Sequence, residues 1–120
     1  ELQMMALETL ALDILARHPI PSRNVVGHSD IAPTRKNDPG ELFDWRSLAA
    51  KGIGMWPARA ATGPRNVMDA LETVGYETLD YCRALAAFQR HFCPAEIQDV
   101  SDPDTLCWLQ GTVELVEKIG

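Results

Sequence analysis

The chain has 120 residues, of which 46% are hydrophobic and 23% are charged, and its formal net charge is −6 at pH 7. This composition is typical of a globular protein rather than a disordered one, and no run approaches the ~20 apolar residues of a membrane span. Residues 1–67 contain eight Lys/Arg and seven Asp/Glu, whereas residues 68–120 contain three and ten. The acidic second half argues against a nucleic-acid partner, because phosphates would be repelled.

The first predicted element is a helix over residues 2–17. Its apolar residues follow the three-four spacing of one helical face, namely Met4, Leu7, Leu10, Ala11, Ile14 and Leu15. Asp13 and Arg17 are four residues apart on the opposite face and can form an ion pair. The helix is predicted to end at His18-Pro19, because the residue before a proline disfavours the helical conformation. We expect this helix to cover a sheet that contains the next strand.

That strand is predicted at Asn24–Gly27, and an irregular loop follows because Pro33, Pro39 and Gly40 interrupt regular structure. The loop carries one imidazole, one ammonium and two carboxylates, on His28, Lys36, Asp30 and Asp38. A zinc ion binds imidazole nitrogen and carboxylate oxygen at about 2.0–2.2 Å. A loop of this length can turn back and bring Asp38 beside His28. A polar loop without a metal is the alternative interpretation.

The loop reads His-Ser-Asp-Ile-Ala-Pro-Thr-Arg-Lys-Asn-Asp-Pro-Gly from residue 28 to residue 40, and Leu-Phe-Asp-Trp follows at residues 42–45. This string resembles the zinc-dependent N-acetylmuramoyl-L-alanine amidases that trim bacterial cell wall. The resemblance implies that His28 and Asp38 are zinc ligands and that Lys36 is a catalytic residue over the reacting carbonyl. It also implies a further histidine ligand and a glutamate well upstream. Since this chain opens at Glu1, we expect a missing N-terminal half to supply both.

Helical spacing resumes over residues 42–51, and Gly52 is a natural stop. Residues 53–57 are predicted to be extended. Two uses are open for Trp45 and Trp56, which are ordinary packing and the lining of a glycan groove. Two roles are also open for Arg35, which precedes Lys36. It could bind substrate carboxylates, or it could be a solvated cation.

Residues 58–65 are predicted to be a linker, because they lack apolar periodicity and contain Gly63-Pro64. Three short helices are predicted after it, over residues 66–74, 79–92 and 103–118, with Asn66 and Asp102 as N-caps. This half resembles the small three-helix peptidoglycan-binding modules appended to cell-wall hydrolases. The residues that carry this resemblance are Gly75-Tyr76, residues 87–92 and residues 102–106, and the pattern departs from the family at Gln98-Asp99.

Several side chains of the second half receive individual predictions. Phe88, Phe92 and Tyr81 are expected in the core, and His91 is interpreted as a partly exposed helix residue. The chain has three cysteines, an odd number without a Cys-x-x-Cys motif, so neither a disulfide framework nor a thiolate zinc site is indicated. Cys82 is expected to be a small buried hydrophobe, and a Cys93–Cys107 bridge is an open alternative in an oxidising compartment.

The sequence thus predicts part of an α+β parent protein that is mostly α within this chain. Residues 1–57 are the C-terminal part of an α/β amidase domain (helix, strand, metal loop, helix), residues 58–65 are a linker, and residues 66–120 are a three-helix peptidoglycan-binding-like domain. The predicted function is cleavage of the amide bond between N-acetylmuramic acid and L-alanine through a Zn²⁺-activated water. The alternative is a non-catalytic peptidoglycan-binding or interaction module, because the upstream ligands are absent.

The predicted partners follow from the same resemblance. It implies peptidoglycan or muropeptides and the missing N-terminal half of the same protein. From the charge distribution and the lengths of the apolar runs we expect no nucleic acid and no transmembrane segment in this chain. The expected location is the bacterial periplasm or cell envelope.

Overall fold

The computed structural model of the chain describes residues 2–96 and 102–119. Its helices are α1 (Leu2–Arg17), α2 (His28–Ile31), α3 (Trp45–Ala50), α4 (Val67–Val74), α5 (Tyr81–Phe92) and α6 (Pro103–Ile119), with 3-10 turns at Ser22–Asn24 and Pro94–Glu96. Within these ranges, no helix combines the length and the apolar character that crossing a membrane requires. The Gln98-Asp99 departure lies outside the described residues.

Helix α1 confirms the first prediction. It ends at Arg17, whose guanidinium lies 2.9 Å from the Asp13 carboxylate. Its inner face packs on a small cluster formed by Trp45, Leu48 and Ile53. The α1 residues in that contact are Met4, Leu7, Ala11 and Leu15, whereas Leu10, which was expected on the same face, is largely exposed.

The predicted strand at Asn24–Gly27 is wrong. Asn24 ends a 3-10 turn, and the N–H of Val25 donates to the Ser22 carbonyl at 3.2 Å. Val25 has extended dihedral angles, but no ladder forms anywhere in residues 2–96 and 102–119. A strand requires a neighbouring backbone to pair its N–H and C=O groups, and the described residues provide none. The α/β prediction is therefore confirmed only for its helices and its loop.

The three predicted helices of the second half are confirmed, with ends that differ by one or two residues. Each begins after a side chain that accepts a backbone N–H, as N-caps do. The Asn66 side chain accepts the N–H of Asp69 at 3.0 Å, and the Asp102 side chain accepts that of Asp104 at 2.9 Å. Gly75 ends α4 with a φ of 123°, a conformation that L side chains rarely adopt. Helix α3, predicted from residue 42, begins only at Trp45.

The core of this half is a cluster of buried side chains from α4, α5 and α6. Its largest fully buried members are Leu71, Leu85, Phe88 and Leu109. Trp56 packs against both this cluster and the one beneath α1, so it joins the two halves. Phe88 and Phe92 are buried as predicted.

Three predictions about individual side chains of this half are wrong. Tyr81 lies at the exposed start of α5 and is 47% exposed, and Cys82 beside it is also exposed. His91 is only 4% exposed, because it lies on the same face of α5 as Phe88. Cys93 and Cys107 are both buried and no disulfide joins them, so the alternative of a bridge between them is not realised.

The segment over residues 58–65 lies against α6. The N–H of Ala60 donates to the Cys107 carbonyl at 3.1 Å, and the Arg59 guanidinium pairs with the Asp104 carboxylate. A side chain at Gly111 would overlap the Ala58 carbonyl, so this glycine permits the close approach of the segment to the helix. The division of the chain into two domains stays a prediction.

Candidate metal centre

The candidate centre is formed by His28 and Asp38, which the loop brings together. His28 is the first residue of the single-turn helix α2. The next residue, Ser29, donates its N–H to the Asp38 carbonyl at 2.7 Å, and this bond closes the loop. The His28 Nδ1 and Asp38 Oδ2 atoms are 3.5 Å apart, and the two side chains are 50% and 68% exposed. An imidazole and a carboxylate therefore converge at an open surface.

The spacing of this pair fits two ligands of one zinc ion. Ligand atoms at about 2.0–2.2 Å in tetrahedral geometry lie roughly 3.4 Å from each other, which is close to the 3.5 Å between Nδ1 and Oδ2. Within residues 2–96 and 102–119 no group of three His, Cys, Asp or Glu side chains could hold a metal. The described part of the chain thus provides a pair of donors rather than a closed site.

Gly27 allows the two arms of the loop to approach each other. A Cβ atom at this position would lie 2.5 Å from Pro39 Cδ and 3.3 Å from Trp45 Cζ2. Both distances are shorter than an ordinary carbon–carbon contact. Since Pro39 follows Asp38 directly, a side chain at position 27 would displace the arm that carries the carboxylate.

Lys36 lies on the outer part of the loop, and its side chain is exposed. Its N–H donates to the Ala32 carbonyl at 2.9 Å, as does that of Arg35 at 3.0 Å, so both cations follow a tight turn. In the part of the chain that the structure describes, neither side chain forms an ion pair. The catalytic role of Lys36 and the metal-binding roles of His28 and Asp38 stay predictions.

Behind the loop lies a buried cluster that the sequence interpretation missed, formed by Asp30, Tyr76 and His91. Asp30 is 8% exposed and accepts the Gly27 N–H at 2.8 Å through Oδ2. The same oxygen lies 2.7 Å from His91 Nδ1, and Oδ1 accepts the Tyr76 hydroxyl proton. With the proton on Nδ1, all three partners donate to one carboxylate.

The two donors from the second half, His91 and Tyr76, are both buried. The His91 ring is stacked on Trp45 and on Phe92, with ring centroids 3.9 Å away in each case. Burial, together with the negative charge of Asp30 and their hydrogen bond, raises the pKa of Tyr76 well above its usual value of 10, so its hydroxyl keeps its proton. The sequence did contain a signal that His91 is buried, because it lies three residues after Phe88 on the same face of α5.

Three arginine side chains form hydrogen bonds between the first half of the chain (residues 1–57) and the second half (residues 66–120). Arg90 Nη1 donates to Ser29 Oγ at 3.2 Å, and Arg83 Nη1 donates to the Thr34 carbonyl at 3.1 Å. In the opposite direction, Arg23 Nη2 donates to the Thr73 carbonyl at 3.2 Å. Two of these bonds join α5 to the loop, at Ser29 and at Thr34.

The chain is similar to known amidases, both in the segment that contains this loop and beyond it. Residues 1–41 match the N-acetylmuramoyl-L-alanine amidase family. His28, Lys36 and Asp38 all lie inside the matched segment. In Escherichia coli, the N-acetylmuramoyl-L-alanine amidase AmiD is 39% identical over 137 aligned residues, which include 98% of this chain and 49% of AmiD. The 1,6-anhydro-N-acetylmuramyl-L-alanine amidase AmpD of Enterobacter cloacae is 44% identical over 48 residues, or 40% of this chain and 26% of AmpD.

Two solved structures are similar in fold to this chain over about half of their own length. E. coli AmiD, in complex with anhydro-N-acetylmuramic acid-L-Ala-D-gamma-Glu-L-Lys, has a TM-score of 0.80 at 38% identity, covering 94% of this chain and 51% of AmiD. Pseudomonas aeruginosa AMPDH3, in complex with anhydromuramic pentapeptide, has a TM-score of 0.83 at 35% identity, covering 94% of this chain and 52% of AMPDH3. The chain therefore spans about half the length of these relatives, and the matched half includes the helices after residue 66.

Proposed function

We propose that this chain is part of a zinc-dependent N-acetylmuramoyl-L-alanine amidase that cleaves the amide bond between N-acetylmuramic acid and L-alanine in peptidoglycan or muropeptides. The observation that carries the proposal is the convergence of His28 and Asp38 to 3.5 Å within a segment that matches this amidase family. E. coli AmiD, which is similar to both halves of the chain, is an N-acetylmuramoyl-L-alanine amidase, and two similar structures are complexes with anhydromuramic peptides.

In this proposal His28 and Asp38 hold the zinc ion, and a further histidine ligand and a glutamate come from residues outside these 120, as the family resemblance implies. A bound zinc ion supplies acidified water near neutral pH and polarises the scissile carbonyl. Lys36 contributes a fixed positive charge for the oxyanion that develops as the amide is attacked. Removal of one such stabilising group typically lowers kcat about 10²–10³-fold.

The proposed setting of the reaction is the bacterial periplasm or cell envelope, where peptidoglycan lies. The proposed partner of the chain is the other half of the amidase, which would bring its ligand to the open side of the His28–Asp38 pair. Both side chains of that pair are about half exposed or more.

The decisive variant is Asp38→Ala in the complete protein. It should lose stoichiometric zinc and at least about a hundredfold in turnover, because loss of the Asp38 carboxylate removes one of the proposed zinc ligands and, with the ion, the charge that would activate the water and polarise the carbonyl. Zinc content and release of the peptide from a soluble muropeptide measure the two effects. The matched control is Glu41→Ala, which removes an exposed carboxylate from the same loop. An Asp38→Ala protein with the zinc content and turnover of the control would refute the assignment.

A non-catalytic peptidoglycan-binding module is the second candidate. The observation that favours it is a cleft of about 330 Å³ bordered by the partly buried rings of Trp56 and Trp108, since flat aromatic faces suit sugar rings. The complete protein distinguishes the candidates. Retention on purified peptidoglycan without any release of peptide would favour the binding module, whereas zinc-dependent release would favour the amidase.

A further inference from the structure

We infer that the second half of the chain positions the candidate metal ligands, with Tyr76 and His91 as positioning residues that act through Asp30. This inference rests on the proposed function, because His28 and Asp38 are metal ligands only within it. The helical half would then be a working part of the amidase centre, in addition to any contact that it makes with peptidoglycan.

Asp30 lies only two residues after His28. Both residues belong to α2, which has only four residues. The Asp30 carboxylate accepts the N–H of Gly27, directly before His28, at 2.8 Å. This bond fixes the turn from which the imidazole projects. A helix of one turn has little stability of its own, so the orientation of His28 depends on what holds Asp30.

The Asp30 carboxylate is held by two side chains of the second half, one from α5 and one from the turn after α4. His91 Nδ1 lies 2.7 Å from Asp30 Oδ2, and the Tyr76 hydroxyl donates to Oδ1. The His91 ring cannot swing away easily, since it is stacked on both Trp45 and Phe92. His91 is therefore held by one ring from each half, whereas Tyr76 is buried in the core of the second half with its ring against Phe88.

Asp38, on the other arm of the loop, is connected to α5 through Ser29. Its carbonyl accepts the N–H of Ser29 at 2.7 Å, and the Ser29 hydroxyl accepts a bond from Arg90 at 3.2 Å. Helix α5 thus reaches one ligand through Asp30 and the other through Ser29. Loss of outer hydrogen-bond partners of metal ligands typically lowers metal affinity or activity by about 10–100-fold.

The experiment compares matched variants in the complete protein. His91→Phe keeps an aromatic ring between Trp45 and Phe92 but removes the donor, whereas His91→Asn keeps a donor at the position of Nδ1. Tyr76→Phe removes a single buried hydroxyl, and Tyr81→Phe removes an exposed hydroxyl at the start of α5 as the control. The measurements are zinc affinity by competition with a chelator, kcat and KM on a muropeptide, and hydrogen exchange of residues 27–40 relative to α4, α5 and α6.

We expect His91→Phe and Tyr76→Phe to lower zinc affinity at least about tenfold. At saturating zinc, kcat should fall with little change in KM. Backbone exchange over residues 27–40 should accelerate while α4, α5 and α6 keep their protection. His91→Asn should recover part of each loss, and Tyr81→Phe should match the wild type.

Two results would overturn the inference. One is loop exchange in His91→Phe and Tyr76→Phe equal to that of the control. The other is faster exchange spread evenly over loop and helices, which would indicate general destabilisation. Hydrogen exchange requires neither zinc nor substrate. A wild-type protein without amidase activity would therefore refute the proposed function while the exchange data still decide whether the second half orders the loop.

Discussion

Gly27→Ala tests whether the close approach of the two loop arms matters. The added Cβ atom would lie 2.5 Å from Pro39 Cδ and 3.3 Å from Trp45 Cζ2. Carbon atoms in contact are about 3.5–4.0 Å apart, so the Pro39 ring must move by roughly 1 Å. Neither neighbour is the end of a flexible side chain, because one is a proline ring and the other belongs to a buried indole.

The size of the effect follows from that overlap. Overpacking of this kind typically costs about 1–3 kcal/mol of unfolding free energy, which corresponds to a fall in Tm of roughly 4 °C for each kcal/mol in a domain of this size. Because Asp38 precedes Pro39, its carboxylate should move away from His28. We therefore expect zinc affinity to fall at least about tenfold, or about 1.4 kcal/mol.

Thermal unfolding and a zinc titration in the presence of a competing chelator measure both effects in the complete protein. Gly40→Ala is the matched control, because it adds the same methyl group to the same loop and meets nothing within 4 Å. If Gly27→Ala keeps the Tm and the zinc affinity of Gly40→Ala, the loop does not depend on this contact and the reasoning is wrong.

Two further predictions concern stability. Hydrogen bonds from the Ser47 hydroxyl and N–H lower the pKa of the Asp44 N-cap below 3.8, so its contribution is present above that pH and is lost as the pH falls through the folded-state pKa. Asp44→Ala should cost about 1 kcal/mol in urea unfolding at pH 7, and this cost should shrink as the pH falls below 3.8. Asp44→Asn should stay near the wild type at pH 7. Gly111→Ala should cost at least about 3 kcal/mol, because the methyl group overlaps the Ala58 carbonyl, and an unchanged urea midpoint would contradict this packing.

The helices and their ends could be predicted from the sequence because their signals are local. Asn66, Asp102 and Gly75 lie next to the helix ends that they determine, and the structure has them as caps and stops. The return of Asp38 to His28 was also predictable, since the length of the loop and its prolines permit it. The predicted strand failed for the opposite reason, because pairing depends on a second segment that local sequence does not reveal.

The buried carboxylate cluster could not be predicted in the same way. Asp30 is separated from Tyr76 by 46 residues and from His91 by 61 residues. Periodicity identifies which face of α5 is buried, but it carries no information about which polar group meets it there. A histidine on the buried face of α5 indicates that a partner must exist, and only the fold identifies Asp30 as that partner.

The position of Trp56 between the two apolar clusters has a practical consequence. All three tryptophans of the chain border the place where the halves meet. The indole of Trp45 is stacked on His91 at 3.9 Å, and the Trp56 and Trp108 rings are 6.1 Å apart. Intrinsic fluorescence therefore monitors the junction itself. Solvent conditions that part the halves while the helices persist should change the emission spectrum before the far-ultraviolet circular dichroism, so the protein contains its own label-free reporter of that event.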